Sequence, residues 1–225
     1  MRLENRLDAN ETRLFGVLIE KSLTTPDQYP LSVNGATSGA NQKNNRNPVM
    51  SLTEGEVTDA LARLVVNGLV GRVVPSGSRV EKYRHNGEER LGLEPAKLAI
   101  LAELMMRGPQ TKGELRTRTN RMKPMPTAEA LDAHLHLLIK DGWVENLPPA
   151  PGSRAPRLGE TLSLASQDRE SLPAAAAPAP TPTPATPPAA SAPAGLEGRV
   201  EALEGEVASL RKALEGLAEK LGETL

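Results

Sequence analysis

The sequence predicts a mainly α-helical chain with small β-hairpins and a terminal coiled coil, on three observations. The first is an internal repeat. Val57, Ala60, Leu61, Leu64, Val65 and Gly68 stand 74 positions before Leu131, His134, Leu135, Leu138, Ile139 and Gly142. Apolar residues at this spacing describe the buried face of a helix. The second is the pattern at each glycine: a helix stop, an apolar pair (Leu69-Val70, Trp143-Val144), a Gly-Ser-Arg turn (77–79 and 152–154) and a returning strand. Helix, stop, strand, turn and strand make the second half of a winged helix-turn-helix unit, present twice. The third is a heptad near the C-terminus, at residues 196–225.

Each element has a basis in local chemistry. A first helix runs from about Asp8 to Ser22 with Leu14, Val17 and Leu18 inward, and Thr24-Thr25-Pro26-Asp27 ends it. A second starts near Pro30, whose fixed φ suits a first helical position; Gly35 and Gly39 weaken it. A third begins at Thr53, where Thr53 and Glu56 fit a capping box. Residues 69–74 and 79–84 form the first hairpin. The second copy opens at Glu94-Pro95, with Leu98, Leu101 and Leu104-Met105 inward. A short helix then spans Thr111 to Thr119, and Thr127 caps the next. Trp143 to Leu147 and Arg157 to Leu164 form its hairpin across a proline-rich loop. Leu14 to Val57 is ten residues longer than Leu98 to Leu131. The excess is placed in the polar stretch Asn41 to Pro48, where an ordinary helix-turn-helix has a turn of about three or four residues.

These elements divide the chain into domains at 5–92 and 93–165, a linker at 166–195 and a coiled-coil helix at 196–225. The linker is rich in Ala, Pro, Ser and Thr and uncharged from Ser171 to Gly195, a composition that builds no core. In the heptad, Val200, Leu203, Val207, Leu210, Leu214, Leu217 and Leu221 alternate spacings of three and four. Valine at a with leucine at d favours a parallel homodimer, and Arg199 opposite Glu204 and Glu206 opposite Arg211 are attractive. A trimer, or a lone amphipathic helix packing on the body, is the alternative.

Composition narrows the function. The chain has no cysteine, which excludes disulfides and thiolate metal sites. The charged start Met1-Arg2-Leu3-Glu4 lacks the apolar run of a signal peptide, and no uncharged apolar stretch reaches the roughly 20 residues of a membrane span. A cytoplasmic protein with no membrane association is expected. Residues 1–165 hold 22 Lys and Arg against 19 Asp and Glu, whereas residues 166–225 hold 5 against 9. The body is mildly basic and the tail acidic. No nucleophile-base pair, phosphate loop or metal-ligand cluster stands out, so no enzyme activity, cofactor or metal is expected. His134 and His136 face different sides of one helix, His134 inward and His136 to solvent, and His85 lies in a connector.

Nucleic acid is the expected partner of two winged helices, yet the third-helix faces are mixed in sign: Glu54, Thr58, Asp59, Arg63 and Asn67 in one copy, Glu129, Asp132, His136 and Lys140 in the other. The cations lie elsewhere. Arg72, Arg79, Lys82 and Arg84 mark the first hairpin. Lys112, Arg116, Arg118, Arg121 and Lys123 form the densest run, which reads equally as a solvated helix face offset by Glu114. Lys43 and Arg46 either touch phosphate or solvate the insertion.

Several segments carry a resemblance. Glu20-Lys21-Ser22-Leu23-Thr24-Thr25-Pro26-Asp27-Gln28-Tyr29-Pro30-Leu31-Ser32-Val33-Asn34, Asn41-Gln42-Lys43, Arg46-Asn47-Pro48-Val49-Met50, Arg79-Val80-Glu81-Lys82-Tyr83 and the segment Arg107 to Arg116 resemble the YceH-like family of bacterial proteins. The resemblance covers roughly residues 5–164. It implies tandem winged helices and brings no established activity or catalytic residue. The expectation is a non-enzymatic, transcription-associated regulator that binds double-stranded DNA mainly through phosphate contacts. The alternative is a protein-interaction scaffold that uses its winged helices as docking modules and binds no DNA.

Overall fold

The structure, a computed structural model, describes residues 6–74, 77 and 80–166. The linker and coiled-coil assignments, including Val200 to Leu221, and the Arg79 assignment lie outside the described residues. The described chain is mainly helical with small antiparallel sheets. Its first half holds α1 (Ala9–Thr24), a 3-10 turn (Pro26–Gln28), α2 (Val33–Ala40), α3 (Glu54–Val66), β1 (Val70–Val73), β2 (Lys82–His85) and a short α4 (Gly87–Leu91). The second holds α5 (Pro95–Arg107), β3 (Gln110–Thr111), α6 (Lys112–Thr119), α7 (Ala128–Lys140), β4 (Val144–Leu147) and β5 (Arg157–Glu160).

The repeat survives into three dimensions without a register slip. α3 and α7 have the same length and are offset by the 74 positions seen in the sequence, as are β1 and β4. Thr53 and Thr127 both accept from the backbone N–H three residues on, and Thr53 completes its capping box with Glu56. Gly68 and Gly142 come next at φ 72° and 78°, conformations that side-chain-bearing residues rarely adopt. There the Leu69 N–H donates to Leu64 C=O and the Trp143 N–H to Leu138 C=O, closing each helix as the strand begins.

The sheets hold a strand that periodicity does not show. β3 pairs with β5, giving the order β3-β5-β4, and in the first half Leu31 makes the matching two hydrogen bonds with Tyr83. That pairing corrects the start of the second helix: Leu31 is held extended, so α2 begins at Val33 with Ser32 as its cap and Pro30 lies outside it. Likewise β5 stops at Glu160, because Leu162 and Leu164 instead hydrogen-bond the buried Leu7 ahead of α1. The length difference is also spread out. Thirteen residues (41–53) join α2 to α3 against eight (120–127) in the second half, and eight (25–32) join α1 to α2 against four (108–111). The Asn41 to Pro48 stretch therefore accounts for only part of it.

One hydrophobic core serves both halves. α1 packs on α2 and α3 and also on α5, which leaves every residue from Glu11 to Glu20 buried rather than a single stripe. α5 is buried in the same way from Leu98 to Met106. The helices meet at Gly16, where a Cβ would lie 3.0 Å from Met106 Cγ and 3.4 Å from Ala102 O. Gly39 gives α2 a similar approach, since a Cβ there would stand 2.7 Å from Val17 Cγ1. The glycine that weakens α2 as a helix lets it dock on α1.

His85 ends β2 opposite Val70 rather than lying in a connector. Its Nδ1 accepts from the Gly87 N–H at 3.2 Å, so its Nε2 donates to Ser22 Oγ at 2.9 Å, and Ser22 in turn donates to Ile19 C=O. Burial, then the charge of Arg84, lowers its pKa from 6.5 to about 4. The unfolded chain thus binds a proton that the folded chain refuses. The contribution of His85 to stability is complete above pH 6.5 and is lost as the pH drops towards 4, by up to about 3 kcal/mol. Urea denaturation at pH 7 and pH 4.5 should show a smaller acid loss for H85Q than for the wild type. Equal losses would remove His85 as the cause.

Candidate nucleic-acid interface

Four of the hairpin and helix cations are free of ion pairs and hydrogen bonds among the described residues: Lys82, Arg84, Arg116 and Lys123. On the first hairpin, strand register puts Lys82 and Arg84 on one face, opposite Val73 and Gly71, while Tyr83 turns into the core. Arg72 shares the Tyr83 side and pairs with Glu81 at 3.5 Å. On α6, Lys112 is 2.9 Å from Asp132 of α7, and Arg118 is 3.1 Å from Glu114 and donates to Gln110. Arg116 and Lys123 are exposed.

The exposed face of α3 is unfavourable to phosphate. Arg63 is the single cation of α3, and it is held by Asp8 at 2.7 Å and Glu11 at 3.0 Å. Glu54, Glu56 and Asp59 then leave that helix with an acidic face. His134 of α7 is half-buried and His136 exposed.

Arg121 and Arg46 have different positions from those a surface reading gives them. Arg46 is fully buried, with its guanidinium 2.6 Å from Glu20 Oε2 and donating to Gly39 C=O and Gln42. It closes the C-terminal turn of α2 and cannot touch phosphate. Arg121 reaches from the α6–α7 loop across to Glu20 of α1 and to Glu103 of α5, the latter at 3.0 Å. Glu103, fully buried, also holds Arg107 at 2.9 Å, and Arg107 hydrogen-bonds Asn45. The Asn47 N–H donates to Met106 C=O at 2.9 Å, and Asn41 pairs through its amide with both backbone groups of Leu52. The asparagine-rich insertion is thus a polar clamp between the halves, built around buried charge. Burial opposes the charge on Glu20, but Arg46 and Arg121 more than offset it and hold its carboxyl below the ordinary carboxylate range.

Two clefts flank this clamp. One of about 280 Å³ lies between α1, α2 and β2, with Lys21 and Lys82 among hydroxyl and amide groups of Thr25, Gln28, Ser32 and Gln42. The other, of about 380 Å³, is lined by Glu20, Lys21, Thr24, Gln42, Lys43, Asn44, Asn45 and Arg121. Lys21 and Gln42 belong to both. Lys21 belongs to no cationic run in the sequence, because its neighbours in the clefts come from elements far along the chain. Among the described residues no group of three or more His, Asp or Glu is placed to hold a metal ion, and no helix is long and apolar enough to cross a membrane.

Residues 7–153 match the family model described as a protein of unknown function, DUF480. The chain belongs to the DUF480 family. Among its relatives is a UPF0502 protein of Geotalea daltonii, 48% identical over 156 residues, covering 68% of this chain and 71% of the relative. A UPF0502 protein of Citrobacter koseri is 40% identical over 233 residues, covering 98% of this chain and all of the relative. The UPF0502 protein YceH of Salmonella paratyphi B is 40% identical over 228 residues, with the same coverage. The resemblance to a YceH-like family read from the sequence is therefore correct. The DUF480 match takes in α1 to β4, including the clamp and both clefts.

Proposed function

We propose that the chain is a non-enzymatic nucleic-acid-binding protein built from two winged helix-turn-helix units, acting in transcription and holding duplex DNA mainly by its phosphates. The observation that carries this reading is the twice-repeated order of three helices and a hairpin, with unpaired cations on the hairpin, on α6 and after it rather than on α3. Phosphate contacts position a protein on a duplex without reading its sequence, which suits an acidic α3 face. The heptad of residues 196–225 supports pairing of two copies, which would raise apparent affinity through effective concentration.

Fluorescence anisotropy with a labelled 30-bp duplex tests the reading. Log affinity of the full chain should fall linearly with log salt, and R84A/R116A/K123A should lower the slope by up to about 0.9 for each phosphate released. A second reading, protein docking, is favoured by Val66, which ends α3 and is 85% exposed. Absence of measurable duplex binding at 50 mM salt would discard the first reading and leave the second.

A further inference from the structure

The two clefts beside the clamp adjoin each other through two shared lining residues. Lys82 stands in the first, Lys43 in the second, and Lys21 with Gln42 in both. These lysines come from β2, the α2–α3 loop and α1, so no sequence run joins them. Lys82 and Lys43 make no ion pair or hydrogen bond among the described residues. Lys21, 19% exposed at its side chain, sits 3.5 Å from Gln42 Oε1 and only 3.9 Å from Glu20. Glu20 is the one carboxylate in either lining, and Arg46 and Arg121 already occupy it. Lys82 and Lys43, with no carboxylate paired to them among the described residues and set among amide and hydroxyl groups, are complementary to phosphodiester oxygens, and Lys21 shares its anion with Arg46 and Arg121.

We propose that the two clefts form one track for the phosphodiester backbone of a nucleic-acid strand, with Lys82, Lys21 and Lys43 contacting phosphates. Arg121 lines the second cleft while held by Glu20 and Glu103, so the track draws on both halves of the fold. No aromatic residue lines either cleft, so the affinity comes from the backbone rather than from base stacking. The proposal rests on the nucleic-acid reading above and adds a site to it.

The test uses the full chain, a labelled 30-bp duplex and a single strand of the same sequence, with K21A/K43A/K82A beside the wild type. The triple variant should lose about 30-fold or more in duplex affinity at 100 mM salt, and its salt slope should fall by up to about 2.7. The double variant K43A/K82A changes residues that hold no other described side chain, and it should lose part of that affinity with an unchanged melting curve. Wild-type duplex binding that neither variant alters overturns the track and leaves the nucleic-acid reading standing. Wild-type binding to the single strand alone, abolished in the triple variant, supports the track and overturns the duplex reading. No binding to either probe overturns both.

Discussion

Replacing Glu20 by alanine should cost about 3–5 kcal/mol, the largest loss expected from any single substitution in the polar clamp. Glu20 is 1% exposed and faces the fully buried guanidinium of Arg46 and the reaching guanidinium of Arg121. Without it, Arg46 keeps the carbonyl of Gly39 and the amide of Gln42 but loses its one ion-pair partner among the described residues. Removing both partners should hurt less than the two single losses added together. A double-mutant cycle on E20A, R46M and the pair, monitored by urea denaturation, measures that coupling. A loss below about 1 kcal/mol for E20A would mean that solvent reaches the cluster and screens it, contrary to its burial.

The second large effect is expected at Gly16. Leucine there must place its Cβ 3.0 Å from Met106 Cγ, 3.3 Å from Met105 Cβ and 3.4 Å from a backbone carbonyl of α5, before its four-carbon side chain is accommodated. One neighbouring methionine can swing away, but a carbonyl fixed in a helix cannot. Forcing α1 and α5 apart should cost about 3 kcal/mol or more. Because both helices belong to one core, the loss should appear as a lower midpoint of a single transition seen by circular dichroism and by Trp143 fluorescence. Two separated transitions in the wild type would show that the halves fold independently, and Gly16 would then not couple them.

The parts of the fold legible in the sequence are those settled within about thirty residues. Thr53 with Glu56 and Thr127 mark helix starts, Gly68 and Gly142 mark stops, and the spacing from Val57 to Val65 marks a buried face. These signals are local because caps, left-handed glycines and helical faces involve neighbours one or two turns away. Short pairings are not legible. β3 has two residues and its first-half counterpart is the single residue Leu31, too few to show alternation. α4, with five residues, is too short to show a helical period.

The basic residues show the same division more sharply. Charge and spacing put Arg46 and Arg121 with the solvent-facing cations, whereas both are held by Glu20, which precedes them by 26 and 101 positions. Lys21 stands in no run of cations in the sequence, although it lines two clefts. A long cationic side chain is equally content in water or against a buried carboxylate, so its type alone does not say which environment it meets.

By itself, the amino-acid order determined a helical chain with a repeated helix–glycine–hairpin unit, because backbone hydrogen bonding and side-chain periodicity are short-range. Only the tertiary structure decided that α1 and α5 share one core, that an asparagine-rich insertion clamps the halves together, and which cations remain free to meet a partner. Those outcomes depend on pairing groups far apart along the chain, and burial makes an unpaired charge costly enough to select the partner.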